Sequence, residues 1–458
     1  MADDLTLPEL ARRVGESPER LREWRSLRLL GRAGDDTFAP ADLERARLVS
    51  LLLRRGISLE TIVRVNDDEA ILDRVVQVMF PGGIGRAYTP SEAAARLALE
   101  IDAFGKLRAI AGLHDDAEVL YDDDLAGLAT TRSALAAGLP EEAMRQLARV
   151  YVDALGRVAD TEARVVHFYV HQHAANPHDA STRELIAMDR RSSDRLRPLS
   201  EPMILYFHRR ALRNALREDA VMYIQERAGV RGHTEIPGQI RIAIAFVDLA
   251  GFTSLADAMG DRMAAAVLER FSHIVRDHAA RCEGQVVKQI GDAFMLAFPD
   301  ARSAVACALA IERDTAREPQ FPAVRSGVHY GEVLYREGDY VGTSVNIAAR
   351  VAGEAARHQV LVTDVTYREA EGLHDVRFVA LGTRRLRGIA QEIDLFAALP
   401  HGAESPTAVR ALDPVCGMEL GPGEEAARLA FEGHERVFCS PRCLQRFVAQ
   451  PELYRART

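Results

Sequence analysis

This sequence lacks long hydrophobic runs, a strong excess of positive charge and an abundance of cysteine. No stretch approaches the roughly 20 apolar residues that a membrane-spanning helix needs. The start, MADDLTLPEL, is acidic where a secretion signal would be positively charged. A net charge of −9, with 27% charged and 48% hydrophobic residues, indicates neither a disordered nor a nucleic-acid-binding chain. We therefore expect a cytoplasmic globular protein without a membrane segment.

Cysteine is scarce and unevenly placed. Cys282 and Cys307 stand alone in the middle of the chain, whereas Cys416, Cys439 and Cys443 crowd its last tenth. In a chain without a secretion signal, such a group is more often a metal site than a disulfide framework. Three thiolates could converge on Zn²⁺ or Cu⁺, so we predict a candidate metal site at these cysteines, with buried free thiols as the alternative.

At 458 residues the chain is too long for one ordinary core. We predict a multidomain protein with an all-α N-terminal regulatory region, an α+β ferredoxin-like domain and a small cysteine-containing C-terminal module. The predicted segments are a helix-turn-helix unit (1–75), a helical regulatory domain (76–232), the α+β domain (239–399), a linker (400–411) and the C-terminal module (412–458).

The N-terminal segment LTLPELARRVGESPERLREW has helix-turn-helix spacing. A turn at Gly15 precedes a second helix, which Ser17 caps and Pro18 begins. A further helix is predicted to start at Asp42 and to end near Gly56. Residues 1 to 60 hold 11 arginines and 11 acidic residues, so the unit is neutral overall. This balance favours protein interaction or regulation over DNA binding, which stays open as an alternative.

From Leu120 to about Gly229 the apolar spacing is helical, with a helix start predicted at Ser200. The resulting helices are long enough for a bundle or a dimer stalk. Three histidines lie in this region: His167, His171 and His173. The first two are one helical turn apart and could form a pH-responsive or metal-binding pair, although packed or solvated histidines are the favoured interpretation.

In the next region the apolar period changes to two. RIAIAFVDLAGFT predicts a strand and turn, residues from about Ser254 to Cys282 a helix, and GQVVKQIGDAFMLAF a hairpin. SAVACALAIERDTA predicts a further helix and VRSGVHYGEVLY a strand. The order strand, helix, strand, strand, helix, strand is ferredoxin-like.

Two acidic residues occupy turns in this pattern. Asp248 ends the first strand and Asp292 lies in the hairpin turn, so adjacent strands would present both carboxylates at one sheet edge. Paired carboxylates suit Mg²⁺, and two such ions can activate a hydroxyl and neutralise a leaving phosphate. Further along, Asn346 and Arg350 are four residues apart on a predicted helix, where they could clamp ribose and phosphate.

The segments FVDLAGFT, KQIGDAFM and GDYVGTSVNIAAR resemble the signature segments of class III adenylate and guanylate cyclases, over about 160 residues. The resemblance implies two Mg²⁺ or Mn²⁺ ions per active site, held by Asp248 and Asp292 with the Leu249 carbonyl. It also implies that Asn346 orients the ribose and that Arg350 stabilises the transition state.

The same resemblance assigns base recognition to Lys288 and Asp339. A lysine donor beside an aspartate acceptor complements adenine better than guanine, so ATP is the expected substrate and cyclic AMP with pyrophosphate the expected products. Arg387, in RRLRGI, stands where the family usually has a phosphate-binding lysine. In the family, two protomers complete each site, and this chain carries both sets of residues, which predicts a homodimer.

The flanking segments carry weaker resemblances. The N-terminal unit resembles a MerR-type helix-turn-helix, and the helical middle is similar to the regulatory domain of some actinobacterial-type cyclases. LDPVCGMEL and FEGHERVFCSPRC resemble a YHS domain, whose three cysteines would need His434 as a fourth ligand or leave an open site. The alternatives to an adenylate cyclase are a MerR-like transcriptional regulator with a cyclase-fold nucleotide sensor, and a guanylate cyclase.

Overall fold

A computed structural model describes residues 4–31, 37–80, 83–113, 119–171, 182–229, 236–402, 411–421 and 423–454. The chain divides into two compact units, Met1–Gln225 and Glu226–Thr458. Across the described ranges, no helix combines the length and apolar character that a membrane crossing requires. Most of the predicted linker, 403–410, lies outside the described residues.

The described residues of the first unit are mainly helical, with a two-stranded antiparallel sheet near the start of the chain. The helix that ends at Val165 continues into a π-helical turn, Val166–His171. The elements in chain order are β1 (Leu5–Thr6), α1 (Leu7–Val14), α2 (Pro18–Ser26), β2 (Thr37–Phe38), α3 (Pro40–Arg54), α4 (Leu59–Glu69), α5 (Ile71–Met79), α6 (Pro90–Arg96), α7 (Ile101–Ile110), α8 (Asp122–Ala136), α9 (Glu141–Val165) and α10 (Thr182–Arg227).

The start of the chain has the two predicted helices with their caps. Gly15 adopts a left-handed φ of 73°, and the Ser17 hydroxyl accepts a hydrogen bond from the Arg20 amide. The third helix begins at Pro40, two residues before the predicted start, because proline suits the first helical position. Asp42 instead caps this helix from its third position by accepting the Ala39 amide at 3.0 Å.

A hydrophobic cluster around the buried side chain of Trp24 holds this unit together. The cluster also contains Ala87, Val119 and Tyr121, which lie beyond residue 75. The Tyr121 hydroxyl donates a hydrogen bond to the carboxylate of Glu44 on α3. The N-terminal helices and the segment around residue 120 therefore share one core.

The predicted helix start at Ser200 is wrong. Helix α10 runs through this position and contains both Pro198 and Pro202. The Ser200 hydroxyl donates to the Glu162 carboxylate of α9 at 2.7 Å, so it joins two helices and caps neither. The side chains of His167 and His171, and all of residue 173, lie outside the described part of the chain.

The second unit contains a mixed eight-stranded sheet with helices, followed by the small C-terminal module. The elements in chain order are β3 (Gln239–Leu249), α11 (Phe252–Met259), α12 (Asp261–Arg281), β4 (Gln285–Ile290), β5 (Ala293–Phe298), α13 (Ala301–Thr315), β6 (Val324–Arg336), β7 (Asp339–Val341), α14 (Thr343–Glu354), β8 (Gln359–Thr363), α15 (Asp364–Ala370), β9 (Val376–Arg385), β10 (Glu392–Pro400), β11 (Ala411–Leu412), β12 (Glu419–Leu420), β13 (Ala427–Phe431), β14 (His434–Phe438) and α16 (Pro441–Ala449).

The sheet has the order β4-β5-β3-β6-β8-β10-β9, and β7 pairs with β6. Its first four strands are antiparallel and have the ferredoxin-like order that the sequence predicts. The helix expected from Ser254 to Cys282 is two helices, because Gly260 breaks it with a φ of 85°. Strands β6 and β8 pair in parallel.

The C-terminal module packs against the ferredoxin-like core. One hydrophobic cluster joins core residues such as Phe271 and Phe294 to Cys416, Phe438 and Phe447 of the module. All five side chains are nearly or fully buried. Because a single cluster spans both parts, burial of apolar surface holds the module on the α+β domain.

Candidate active site and cysteine cluster

The two predicted metal-binding carboxylates lie beside each other. Asp248 is the penultimate residue of β3 and pairs in register with Ala293, the first residue of β5. Asp292 precedes Ala293 in the hairpin turn, where Gly291 has the positive φ, 64°, that such a tight turn requires. Burial, followed by the charge of Asp248, raises the pKa of Asp292 to about 6. The pair therefore favours a neighbouring positive charge.

Arg325 supplies a positive charge at this point. It lies directly opposite Asp248 across the β3–β6 pairing, and its Nε donates to Asp248 Oδ2 at 2.8 Å. The second guanidinium nitrogen, at 2.5 Å, contacts the same oxygen. Our sequence analysis missed this residue. Its position opposite Asp248 depends on the register of β3 and β6.

Leu249 ends β3 with its side chain in the core, 1% exposed. This burial fixes the backbone at the point where Asp248 leaves the sheet. The next residues, Ala250 and Gly251, turn the chain into α11, and the Ala250 amide donates to the Ala323 carbonyl at 2.8 Å. The loop that presents Asp248 is thus held by the sheet on one side and by α11 on the other.

Lys288 and Asp339 form an ion pair between β4 and β7. The side chains are 39% and 36% exposed, so solvent can reach the pair. A second Asp339 oxygen accepts the Tyr340 amide at 2.8 Å, which orients the carboxylate. The two residues that the sequence assigned to base recognition are therefore in direct contact.

The remaining predicted site residues are exposed. Asn346 and Arg350 lie one turn apart on α14, and Arg387 lies in the turn after β9. Within the described residues of this single chain, no hydrogen bond or ion pair joins them to the two pairs described above. The structure thus brings four predicted residues together as two separate pairs and leaves these three facing solvent.

The three C-terminal cysteines converge. The Cys416 and Cys439 sulfurs are 3.4 Å apart, and those of Cys439 and Cys443 are 3.7 Å apart. Asp413 completes the group, because its carboxylate and the three sulfurs all lie within 4.8 Å of one another. All four residues are buried. Three thiols with one carboxylate match the donors and the number of a tetrahedral zinc site.

Asp413 also organises the backbone of the cluster. Its Oδ1 accepts the Val415 amide at 2.8 Å and the Cys416 amide at 3.3 Å, and its Oδ2 accepts the Cys439 amide at 2.8 Å. Burial raises the pKa of this carboxyl. The other thiols, by hydrogen bonding, lower the pKa of Cys443, which lies in the first turn of α16. Its thiolate is suited to bind a cation.

His434 does not belong to this group. It lies at the exposed end of the β13–β14 hairpin, paired with Phe431. Among the described residues, the group of potential metal ligands around the three cysteines contains Asp413 in its place. The sequence suggested His434 because histidine is a common zinc ligand, but the hairpin carries it to the surface and Asp413 is already held by both cysteine-bearing segments.

Comparison with known families matches three consecutive parts of the chain. Residues 33–216 match the adenylate cyclase regulatory domain. Residues 236–397 match the adenylate and guanylate cyclase catalytic domain, and 411–458 match the YHS domain. None of these matches is a MerR-type domain, so that resemblance of the N-terminal unit stays a prediction.

The chain is similar to several individual proteins. The pH-sensitive adenylate cyclase MT1302 of Mycobacterium tuberculosis is 28% identical over 369 residues, which cover 79% of this chain and 89% of that protein. The uncharacterized protein Rv2212 of the same species is 30% identical over 69% of this chain and 81% of its own length. The solved adenylyl cyclase CyaB of P. aeruginosa is 17% identical, with a TM-score of 0.32, and covers 35% of this chain and 94% of that one.

The paired carboxylates and the Lys288–Asp339 ion pair both lie within residues 236–397, which match the cyclase catalytic domain. The chain belongs to the class III adenylate cyclases, within the family of adenylate and guanylate cyclase catalytic domains, and it carries an adenylate cyclase regulatory domain before that domain and a YHS domain after it.

Proposed function

We propose that the chain converts ATP to 3′,5′-cyclic AMP and pyrophosphate. The observation that supports this substrate is the contact between Lys288 and Asp339. The lysine can donate to a ring nitrogen of adenine, and the carboxylate can accept from its exocyclic amino group. Guanine presents a carbonyl and a ring N–H at these positions, so it would leave both side chains without a suitable partner.

We assign the catalytic ions to Asp248 and Asp292, with the Leu249 carbonyl as a further oxygen ligand. The donors fit Mg²⁺ or Mn²⁺, because both ions prefer oxygen ligands. The charge of Asp248 contributes to the raised pKa of Asp292, so a cation beside the two carboxylates would relieve their repulsion. When bound, two such ions would acidify the ribose 3′-hydroxyl and neutralise the triphosphate. Arg325, which now neutralises Asp248, would share that carboxylate with them.

The residues for ribose and phosphate come from α14 in this proposal. The Asn346 amide would orient the ribose, and the Arg350 guanidinium would stabilise negative charge on the phosphate during attack. The exposed Arg387 would bind the terminal phosphates. These three residues are exposed and separate from the carboxylate pair within one chain, which supports a homodimer in which each protomer completes its partner's site.

The long helices of the first unit support the dimer independently. Helix α9 exposes apolar side chains over three turns, among them Tyr151, Val152 and Leu155. Helix α10 exposes Phe207, Leu216 and others in the same manner. Exposed apolar rows of this length are characteristic of an interaction surface, and a second copy of the same helices would cover them. The first unit would then control the approach of two catalytic domains.

For the cysteine cluster we propose Zn²⁺ or Cu⁺. Thiolates prefer soft or borderline ions, and the four donors can form a closed site for Zn²⁺. The cluster is buried under the hydrophobic contact with the catalytic domain, so it is placed for a structural or regulatory ion. The active site, by contrast, must be open to solvent so that its substrate can enter.

The decisive experiment is product identification. Purified full-length chain would be incubated with Mn²⁺ or Mg²⁺ and with ATP or GTP, and we expect cyclic AMP from ATP. The matched variants are Asp292→Ala, which should abolish the product, and Asp277→Ala, a surface aspartate paired with Arg281 on α12, which should not. Cyclic GMP as the main product would indicate a guanylate cyclase, and no product from wild type would favour a nucleotide-sensing regulator.

A further inference from the structure

The turn at 355–358, between α14 and β8, connects the active site with the cysteine-bearing module. In this turn, the Arg357 Nη1 donates to the Gly417 carbonyl at 3.1 Å and lies 3.5 Å from the Glu419 carboxylate. Both acceptors belong to the C-terminal module. The side chain of a catalytic-domain residue therefore reaches into the module next to Cys416.

The same guanidinium lies against the loop that presents Asp248. A Cβ added at Gly251 would lie 3.2 Å from Arg357 Nη2, and one added at Gly417 would lie 3.1 Å from the same nitrogen. Gly251 is three residues after Asp248 and precedes α11 directly. The guanidinium of Arg357 thus lies next to Gly251 in the Asp248 loop and is hydrogen-bonded to the turn that carries Cys416.

His358, the next residue, strengthens this connection. Its Nε2 is hydrogen-bonded to Glu419 of the module at 2.6 Å, and its Nδ1 lies 3.2 Å from Glu312 of α13. The His358 amide donates to the Val324 carbonyl at 2.8 Å, immediately before Arg325 in the sequence. The turn is consequently fixed at the end of β6 that carries the partner of Asp248.

We propose that Arg357 is a positioning residue that transmits metal occupancy of the Asp413, Cys416, Cys439 and Cys443 cluster to the Asp248 loop. The inference rests on the proposed two-metal function of that loop. An ion held by Cys416 fixes the backbone that includes the Gly417 carbonyl. Because Arg357 donates to that carbonyl, its guanidinium is then held against Gly251, and the loop is ordered before the catalytic ions arrive.

The expected consequence is tighter binding of catalytic metal in the loaded chain. Ordering the loop in advance removes part of the entropic cost of ion binding. The coupling is reciprocal, so Mn²⁺ at Asp248 and Asp292 must raise the affinity of the cluster for its ion by the same factor. We expect each site's affinity for its ion to rise about fivefold or more when the other site is occupied, which is at the lower end of coupling between distinct sites.

Hydrogen exchange tests the proposal without turnover. The full chain is stripped of metal, loaded with one equivalent of Zn²⁺ and freed from excess ion, and amide exchange is followed in 249–256. We expect exchange to slow about fivefold or more on loading in wild type and to be insensitive to loading in Arg357→Ala. Cys439→Ser, which lacks a cluster ligand, should show no response to Zn²⁺, and this excludes binding at the catalytic carboxylates as the cause.

Arg446→Ala is the matched interface control. It removes an ion pair with Asp257 of α11, at 2.8 Å, without touching Gly417. Amide exchange in 249–256 should still slow on Zn²⁺ loading in Arg446→Ala. This result would distinguish loss of transmission through Arg357 from a general weakening of the contact between the module and the catalytic domain. Free Mn²⁺, followed by electron paramagnetic resonance, gives the affinity change in the same set of proteins.

Three results would overturn the proposal: no stoichiometric Zn²⁺ in wild type, unchanged exchange in the loaded wild type, or an equal response in Arg357→Ala. Failure of the proposed function gives a different pattern. A chain that shows the exchange response but produces no cyclic nucleotide contradicts the function alone. A chain that produces cyclic AMP but shows no response contradicts only the transmission.

Discussion

Arg325 lies opposite Asp248 on the neighbouring strand, and both contacts of its guanidinium are to one carboxylate oxygen, Oδ2. The two residues are 77 positions apart in the chain. In the absence of other cations, this arginine is the counter-charge for the Asp248 and Asp292 pair. It also lowers the pKa of Asp292, against the larger effects of burial and of Asp248.

Arg325→Gln should therefore destabilise the metal-free protein. The arginine is 35% and the aspartate 17% exposed, so loss of this half-buried pair should cost about 1 to 2 kcal/mol, between values for exposed and buried pairs. Mn²⁺ can replace the lost charge, so the thermal midpoint should rise more on addition of Mn²⁺ in the variant than in wild type. Equal rises in both proteins would contradict this role.

Asp339→Asn tests base recognition. The amide has nearly the same shape as the carboxylate but can turn a donor toward the adenine amino group and no longer pairs with the charge of Lys288. We expect kcat/KM for ATP to fall about 10- to 100-fold, because an unpaired buried polar group costs about 1 to 3 kcal/mol. The preference for ATP over GTP should shrink as well, measured in parallel assays. An unchanged ratio of kcat/KM for ATP to kcat/KM for GTP would show that Asp339 does not recognise the base.

Complementation tests the shared active site. Asp292→Ala and Arg350→Ala should each be inactive alone. After unfolding and refolding together, random pairing places half of the chains in mixed dimers with one intact site, so about one quarter of wild-type activity should return. Two variants of the same set, Asp248→Ala with Asp292→Ala, provide the control and should not complement. Recovery in that control, or none in the test mixture, would argue against sites completed between protomers.

His358 predicts a pH dependence of stability. Hydrogen bonds to Glu312 and Glu419 raise its pKa from the ordinary 6.5 to about 9, and Arg357 is the other charged neighbour of Glu419. The protonated form is favoured in the folded state, so its stabilisation is complete below pH 6.5 and is lost as pH rises through 9.

The full effect is at most on the order of 3 kcal/mol, from 1.36 kcal/mol per pH unit. Thermal midpoints between pH 6 and 9.5 should fall more steeply in wild type than in His358→Gln. His374→Gln, at an exposed histidine of the same domain, should follow the wild type. Parallel curves for wild type and His358→Gln would show that this histidine is not charged at the contact.

Cys439→Ser should remove metal from the C-terminal module. The Cys439 sulfur lies 3.4 Å from that of Cys416 and 3.7 Å from that of Cys443, so its loss leaves too few thiolates for a soft ion. We expect about one Zn²⁺ per wild-type chain by elemental analysis and a small fraction of this in the variant, as a four-ligand zinc site requires. Cys282→Ser, at a cysteine outside the group, should retain the metal. Anaerobically purified wild type without metal would favour buried free thiols.

The order of strands and helices in the catalytic domain could be predicted from the sequence because it depends on local signals. Residues 242–247 of β3 form a continuous apolar run, apolar residues recur with helical spacing along α13, and Gly291 marks the hairpin turn. The predicted ferredoxin-like arrangement is confirmed by the strand pairing. The same local signals were misleading at Ser200, since its hydroxyl bonds to Glu162 of another helix rather than to its own backbone.

Sequence by itself thus determined the family, the fold class and the positions of the cyclase motifs, since each lies within a short contiguous segment. Only the tertiary structure decided which side chains meet across segments. The pairing of Arg325 with Asp248 depends on the register of β3 and β6, and the fourth member of the cysteine group depends on how two loops fold together. The reach of Arg357 into the module depends on burial of a shared hydrophobic cluster, which no local pattern specifies.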